Sequence, residues 1–208
     1  MTPETPDDEH PDPWAGLETV HDPRVLRAIA HPVRNRILSE LSATGAMRAA
    51  DVARELGIPA NQASFHLRQL AKYGLVEEAP EEARDKRDRV WRVADERGMR
   101  VNLAELEASP GGKAAVSVFV RTAIAAGYRM IEQAYSTVPV EDTMRTVTDE
   151  SLRLTKQEAA ELAAELDELI QAWAARTRGR SDERRTYQLF MALQPHPDSV
   201  AHRGDRES

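Results

Sequence analysis

Residues 49–76, AADVARELGIPANQASFHLRQLAKYGLV, decide the fold of this chain. Two short amphipathic segments, 49–56 and 60–73, are separated by Gly57-Ile58-Pro59. A helix-turn-helix consists of two short helices joined by a tight turn that often contains glycine. Gly74 follows the second segment, at the place where glycine commonly ends a helix. The stretch therefore predicts a helix-turn-helix whose second helix runs from about Pro59 to Tyr73.

The residues before this stretch predict two further helices. Asp22-Pro23 combines a helix-capping side chain with proline at the first helical position. His31-Pro32 interrupts that helix and opens a second one, in which apolar residues between Val33 and Leu41 recur at helical spacing. Together with residues 49–73, these segments predict a helical core.

The residues after Gly74 predict a β-hairpin. Leu75-Val76 begins a strand, and residues 89–93 alternate polar and apolar side chains, as a second strand should. The charged residues 80–88 lie between the two strands. A helical core followed by such a hairpin is a winged helix-turn-helix, which we expect over residues 22–94.

The predicted helix 60–73 has two unlike sides. Ala63, Leu67 and Leu70 are spaced to face a core. The opposite side carries polar residues and one aromatic, namely Asn61, Gln62, Phe65, Arg68, Gln69 and Lys72. Asn and Gln can bond adenine through two hydrogen bonds, Arg can bond guanine, and an apolar ring can touch a thymine methyl. Taken alone the pattern also fits an ordinary surface helix, but the order of the neighbouring elements favours a helix that reads DNA.

The hairpin tip is rich in cations. It carries Arg84, Lys86, Arg87 and Arg89, interleaved with Asp85 and Asp88. Such a stretch is usually a solvated charge run. Four cations on one hairpin beside a DNA-reading helix favour contact with DNA, and Arg87 and Arg89 are the leading candidates.

The sequence resembles the ArsR family of winged-helix regulators over about residues 22–93. The resemblance lies in HPVRNRIL (31–38), DVARELGI (51–58), ASFHLRQL (63–70) and GLV (74–76). It implies that Ser64 and His66 occupy the family's Ser-x-His positions near DNA, with Ser64 bonding a phosphate. An equal alternative for His66 is a half-buried residue that orients the helix. The resemblance also implies that long flanking helices make a dimer.

Charge is distributed unevenly along the chain. The formal net charge is −7, and the first 22 residues carry seven acids and no Lys or Arg. Residues 23–93 have 13 basic and nine acidic side chains, a net of +4. The mildly basic part is thus the part assigned to DNA, which permits DNA binding without proving it.

Several classes of protein are not expected. The chain has no cysteine, which excludes disulfides, thiolate metal sites and the cysteine metal-sensing motif of the ArsR family. Its six histidines form no ligand-spaced pair, and no catalytic constellation or phosphate-binding loop stands out. We expect no metal, no cofactor and no enzymatic activity. Without a secretory signal or a long uncharged apolar run, we expect a cytoplasmic protein with no membrane partner.

The remaining chain divides into tails, a linker and a second region. Residues 1–21 and 196–208 predict disordered tails, and residues 95–112 predict a linker. Residues 113–195 predict an α+β region, with a long helix over 113–136, strands near 150–154 and 185–193, and a helix that begins with the capping box Thr155-x-x-Glu158. The expected fold class is mainly α with small β.

The predicted function is sequence-specific transcriptional regulation by a homodimer on double-stranded DNA with a palindromic operator. The long helix over 113–136 is the candidate dimer seam. A small-molecule effector is a further candidate partner, and aromatic residues of the second region either line its pocket or, as the stronger alternative, form core: Phe119, Tyr128, Trp173, Tyr187 and Phe190. The alternative function is a winged-helix protein-interaction module without DNA binding.

Overall fold

The computed structural model describes residues 16–83, 85, 88–180 and 184–196. In this part of the chain, the helices are α1 (Pro23–Ile29), α2 (Pro32–Thr44), α3 (Ala49–Leu56), α4 (Ala60–Ala71), α5 (Leu103–Ala108), α6 (Gly112–Ala134) and α7 (Lys156–Thr177). The strands are β1 (Glu18–Val20), β2 (Met47–Arg48), β3 (Val76–Glu78), β4 (Val90–Val93) and β5 (Met99–Val101). The predicted fold class, mainly α with small β, is confirmed.

The winged helix-turn-helix is built on a small antiparallel sheet. Strand order is β2-β4-β3, and β4 pairs with both neighbours. Val76 lies opposite Val93, and Met47 lies opposite Trp91. Strands β3 and β4 are the hairpin that the alternation predicts, and we call residues 76–93 the wing.

A single apolar core holds α1 to α5, the sheet and the first turn of α6 together. Its fully buried large side chains are Leu26, Ile37, Leu41, Val52, Leu67, Leu70 and Leu106. Burial of a leucine, valine or isoleucine side chain stabilises a fold by about 1.5–3 kcal/mol. The side chains that the helical spacing directed inward are therefore the ones that hold α4 on the domain.

The turn between α3 and α4 depends on glycine. Gly57 has φ +65° and ψ +34°, a left-handed conformation that glycine adopts without steric cost. The Ile58 N–H then donates to the Ala53 carbonyl oxygen at 3.0 Å, which closes the end of α3. Helix α4 starts after Pro59, as predicted, and ends two residues before the predicted Tyr73.

Residues 95–112 are structured, so the predicted linker is wrong there. They contain β5 and α5, and Leu106 is 1% exposed. Gly112 lies so close to α5 that a Cβ at this position would overlap the Leu106 carbonyl oxygen. Strand β1, within the predicted tail, pairs in parallel with β5. Both segments are short and carry few apolar residues, so their periodicity is weak and tertiary contacts decide their structure.

Beyond α6, the end of α7 is attached to the winged domain. The Arg178 side chain donates to the Ser42 carbonyl oxygen at 3.1 Å and pairs with Glu96, and the Gly179 N–H donates to the Thr44 carbonyl oxygen at 2.8 Å. These contacts fix the C-terminal end of α7 against α2.

Helix α7 and its capping box form as predicted. The Glu158 N–H donates to Thr155 Oγ1 at 3.1 Å, and the Thr155 N–H donates to Glu158 Oε2 at 2.7 Å. The predicted strands near 150–154 and 185–193 do not form; both segments lack regular secondary structure. A strand needs a neighbouring strand for its backbone hydrogen bonds, and within the described residues neither segment has one.

Helix α6 is the one helix among the described residues that is long and apolar enough to cross a membrane, with a mean hydropathy of 1.3. Length and composition alone are weak evidence for a span. The first turn of α6 is part of the core, where Ala115 is fully buried. Arg121 and Arg129 lie in the middle of the helix, and charged side chains are costly at the centre of a bilayer.

Candidate nucleic-acid interface

The two sides of α4 are the ones that the sequence predicts. Ala63, Leu67 and Leu70 are completely buried. Side chains on the other side point away from the core: the exposed ones are Asn61, Gln62, Phe65, Arg68 and Lys72, and the partly buried ones are Ser64 and Gln69. The helix thus presents amide, guanidinium, ammonium and aromatic groups in one surface, which we call the α4 face (residues 61, 62, 65, 68, 69 and 72).

Phe65 has no apolar contact that would bury it. Its side chain is 50% exposed, and its ring meets the His66 ring edge-on at a centroid distance of 5.4 Å. A half-exposed aromatic on a polar helix face is available for apolar contact with a partner, such as a thymine methyl.

His66 does not lie on the α4 face, so the prediction that it contacts DNA is not supported by its position. It is 5% exposed, because it follows Ala63 by three residues and precedes Leu70 by four on the inner side of the helix. Its ring contacts the His31 ring at the start of α2, with centroids 4.8 Å apart. This position agrees with the alternative interpretation, in which His66 orients the helix.

The two histidines share an unsatisfied polar environment. Within the described residues, Nδ1 of both rings is buried without a hydrogen-bond partner. Burial lowers the pKa of His31, and the nearby Arg34 guanidinium lowers it further. Burial also lowers the pKa of His66, with His31 and Arg34 adding to the effect. The lowered pKa values favour neutral rings for both histidines at the junction between α2 and α4.

A charged network, which the sequence did not predict, joins α3 to the wing. Arg48 Nε donates to Asp51 Oδ2 at 2.7 Å, and Arg54 donates to the other Asp51 oxygen at 2.9 Å. Both arginines lower the pKa of the Asp51 carboxyl, chiefly through the Arg48 hydrogen bond. Arg48 also lies 3.5 Å from Asp88 at the base of the wing. The spacing of three residues between Arg48, Asp51 and Arg54 could have predicted the ion pairs among them. No sequence pattern could have predicted the contact with Asp88.

Only part of the predicted basic tip can be placed. Arg89 is exposed and lies 3.6 Å from Glu78 across the hairpin. Arg92, three residues further along the chain in β4, pairs with Glu77 at 2.8 Å and with Glu81. The other predicted wing cations, Arg84, Lys86 and Arg87, lie outside the described residues. Among the described residues, the base of the wing therefore has its cations paired with carboxylates.

The aromatic residues proposed for an effector pocket do not form one in the single chain. Phe119 packs partly against the core. The remaining four are more than half exposed: Tyr128, Trp173, Tyr187 and Phe190. They are neither the core nor the pocket lining that the sequence allowed. Within the described ranges there is also no group of three or more His, Asp or Glu arranged to hold a metal ion.

Comparison with known proteins agrees with this geometry. The family described as "Helix-turn-helix domain" matches residues 29–79, which span α2, α3, α4 and the start of the wing. No curated protein matches the sequence.

Similar solved structures include a mutant of ZitR from Lactococcus lactis, in its apo form. It has 15% identity and a TM-score of 0.31 and covers 69% of this chain and 83% of its own. Apo wild-type MarR from E. coli has 15% identity and a TM-score of 0.31, with coverages of 71% and 86%. A MepR mutant from S. aureus, bound to an oligodeoxyribonucleotide, has 13% identity and a TM-score of 0.29, with coverages of 72% and 87%. TM-scores this low do not define a shared overall fold, whereas the domain match identifies residues 29–79 as similar to a helix-turn-helix domain.

Proposed function

We propose that the protein is a DNA-binding transcriptional regulator that reads the major groove with the α4 face. The observation that carries the proposal is the exposure of this face on a helix whose opposite side is completely buried. A helix-turn-helix places the side chains of its second helix against base edges in this way.

Each part of the α4 face has a role in this proposal. Asn61 and Gln62 begin the helix, and the first residues of a DNA-reading helix are those that enter the groove. Arg68 follows two turns later and is exposed, so it is the candidate for bonding guanine. Lys72, at the end of the face, and Ser64, beside it, are candidates for phosphate contacts, which position the helix without reading sequence.

We further propose that the protein acts as a homodimer on a palindromic site. Helix α6 carries an exposed apolar stripe, Ile124, Tyr128, Ile131 and Tyr135, in which each side chain is at least half exposed. Its spacing of four, three and four residues places all four on one side of the helix. Because α6 is anchored in the winged domain at its first turn, two copies joined along this stripe would hold two α4 helices in a fixed relation. Palindromic half-sites lie about 34 Å apart on one face of the duplex.

A cytoplasmic location follows from this function, since the proposed DNA target lies there in a bacterial-type cell. A small-molecule effector belongs to the proposal as a partner of the region after α6. The exposed aromatic side chains of that region are its candidate contacts once a second copy covers them.

The test begins with genome-wide mapping of bound sites, followed by electrophoretic shifts of the full chain on the best site. Arg68→Ala is expected to weaken binding by about 1–3 kcal/mol and to relax the preference at one base pair. Arg87→Ala is expected to weaken binding to all sequences and to reduce the salt slope by about one. Arg129→Ala removes a charge from α6, away from the apolar stripe. It is the matched control and is expected to leave the DNA affinity and the salt slope unchanged.

Two outcomes would overturn the proposal. The first is an absence of enriched sites, which would favour a protein-interaction module. The second is an Arg68→Ala variant that binds the best site as tightly and as selectively as the Arg129→Ala control.

A further inference from the structure

The region after the first turn of α6 has no core of its own. Among the described residues from 117 to 196, none is buried. None of the 22 residues of helix α7 is buried. Its apolar side chains Leu169 and Trp173, which lie on one side of the helix, are more than half exposed. Helices in water obtain most of their stability from packing an apolar face. This region therefore requires a covering surface that the described residues of a single chain do not supply.

The exposed area is larger than a compact monomer would have. The chain exposes 16,189 Å², whereas a compact protein of its mass, 23.2 kDa, exposes about 9,700 Å². If the 33 residues outside the described ranges are counted as fully extended, about 2,000 Å² of excess surface remains. A standard protein interface buries about 800 Å² on each partner. The excess is thus sufficient for an extensive interface.

Two extended segments in this region have the side-chain alternation of strands. In residues 184–194, the apolar side chains Tyr187, Leu189, Met191 and Leu193 fall on one side of a strand. The other side carries the polar Thr186 and Gln188, followed by the apolar Phe190 and Ala192, so apolar and polar side chains alternate over residues 186–189. The four odd-numbered side chains are about half to two-thirds exposed. In residues 150–154, Leu152 and Leu154 alternate with polar residues and are also exposed. Period-two alternation is the pattern of a strand with one buried face.

The second segment contacts the chain that precedes the first segment, and it also contacts the winged domain. The Met144 N–H donates to the Tyr187 hydroxyl oxygen at 3.1 Å. Thr186 donates to Glu40 on α2 at 2.7 Å, so the second segment starts against the winged domain. Within the described residues neither segment belongs to a sheet, and two strands alone are only marginally stable in water.

We propose that a second copy of this chain completes that sheet. In the dimer, residues 150–154 and 184–194 of both copies form a shared four-stranded sheet whose apolar face covers the stripes of α6 and α7. Two copies supply four strands, which is enough for a stable sheet with a hydrophobic face. This inference rests on the proposed homodimer and specifies its seam: intermolecular β-pairing in addition to α6 contacts.

The test compares two adjacent substitutions in the full chain. Leu189→Asp places a charge on the apolar face of the proposed strand, whereas Gln188→Asp places the same charge on its opposite face. Light scattering over a concentration series measures dimerisation. Leu189→Asp is expected to weaken it by about 100-fold or more, because each dimer loses two buried leucines and gains two buried charges. Gln188→Asp is expected to remain dimeric.

Hydrogen exchange of the unsubstituted dimer supplies the second measurement. Amides of residues 185–193 are expected to exchange about tenfold or more slowly than in the Leu189→Asp variant. Amides of α4 serve as the internal reference and stay protected in both, which shows that the winged domain remains folded. A chain that is monomeric at all concentrations, a dimer with unprotected 185–193 amides, or equal effects of the two substitutions would overturn the inference.

DNA binding separates this inference from the function on which it rests. A dimer that has protected strands but no preferred DNA site would retain the inference and remove the function. Specific DNA binding by a dimer with unprotected 185–193 amides would retain the proposed function and overturn the inference. Insertion of α6 into phosphatidylcholine vesicles, in place of dimerisation, would overturn the inference.

Discussion

Helices α4 and α7 have similar sequence patterns and opposite environments. Both carry apolar residues at spacings of three and four. In α4, Leu67 and Leu70 are completely buried, whereas in α7, Leu169 and Trp173 are 54% and 56% exposed. The pattern determines that each segment is a helix and which side is apolar. It does not determine what that side packs against.

The difference shows which part of the molecule is complete within one chain. The winged domain has a closed core and neutral histidines at the α2–α4 junction, so one copy can hold the α4 face in place. The region after α6 has helices and strand-like segments but no interior. We infer that positioning of the α4 face belongs to the single chain and that pairing of two such faces belongs to the dimer.

The largest expected effect comes from a change in the core of the winged domain. Leu67→Ala removes a fully buried side chain and leaves a cavity, which lowers the free energy of unfolding by about 2–5 kcal/mol. The matched change, Leu169→Ala, is expected to cost about 0.5 kcal/mol or less in the single chain, because the side chain is mostly in water. Chemical denaturation followed by circular dichroism measures both.

The two substitutions are also expected to depend differently on protein concentration. If a second copy covers α7, the cost of Leu169→Ala rises with concentration, because dimerisation stabilises only the folded chain. The cost of Leu67→Ala stays constant. A Leu169→Ala cost that does not change between dilute and concentrated samples would contradict the covering of α7.

The next effect concerns two glycines of α6. Gly112→Ala is expected to destabilise the protein by about 1–3 kcal/mol or more, because the new Cβ would overlap the Leu106 carbonyl oxygen, a backbone atom. Gly127→Ala has no atom within 4 Å of its new Cβ and lies within the helix, so it is expected to stabilise by about 0.5–1 kcal/mol. Thermal unfolding of both variants gives the signs. A destabilising Gly127→Ala would place position 127 against the partner copy.

Features that depend on local chemistry could be predicted from the sequence. Three such features are the turn at Gly57, the bounds of α4 to within two residues, and the helix starts at the N-cap Asp22 and the capping box of Thr155. Each involves residues that are neighbours along the chain. The outward direction of Phe65 and Arg68 follows from the same helical spacing. These features form wherever the segment forms a helix.

Features that depend on distant contacts could not be predicted. The His31–His66 contact joins residues 35 positions apart, and no local pattern links the two rings. Parallel pairing of β1 with β5 gives structure to segments that look like tail and linker. The predicted strands near 150–154 and 185–193 have the correct alternation and are unformed, because a strand requires a partner that one chain does not present.

The smallest expected effect is a pH dependence from the histidine pair. The pKa values of His31 and His66 are lowered in the folded protein, chiefly by burial, so the unfolded chain binds protons more readily. The pair therefore contributes stability above the unfolded pKa of about 6.5. This contribution is lost as the pH falls through the lowered folded pKa values. The midpoint of thermal unfolding is expected to decrease in that window, more steeply for the unsubstituted protein than for His66→Gln.

A double-mutant cycle separates the pair from other titrating groups. Because the two rings are in contact and His31 contributes to lowering the His66 pKa, the pH slopes of His31→Asn and His66→Gln are not additive. The double variant is expected to retain only the slope that comes from the remaining groups. Equal slopes in the unsubstituted protein and the double variant would show that the pair does not couple proton binding to folding. The α2–α4 junction would then tolerate charge, and the neutral histidines would not be needed to hold the α4 face.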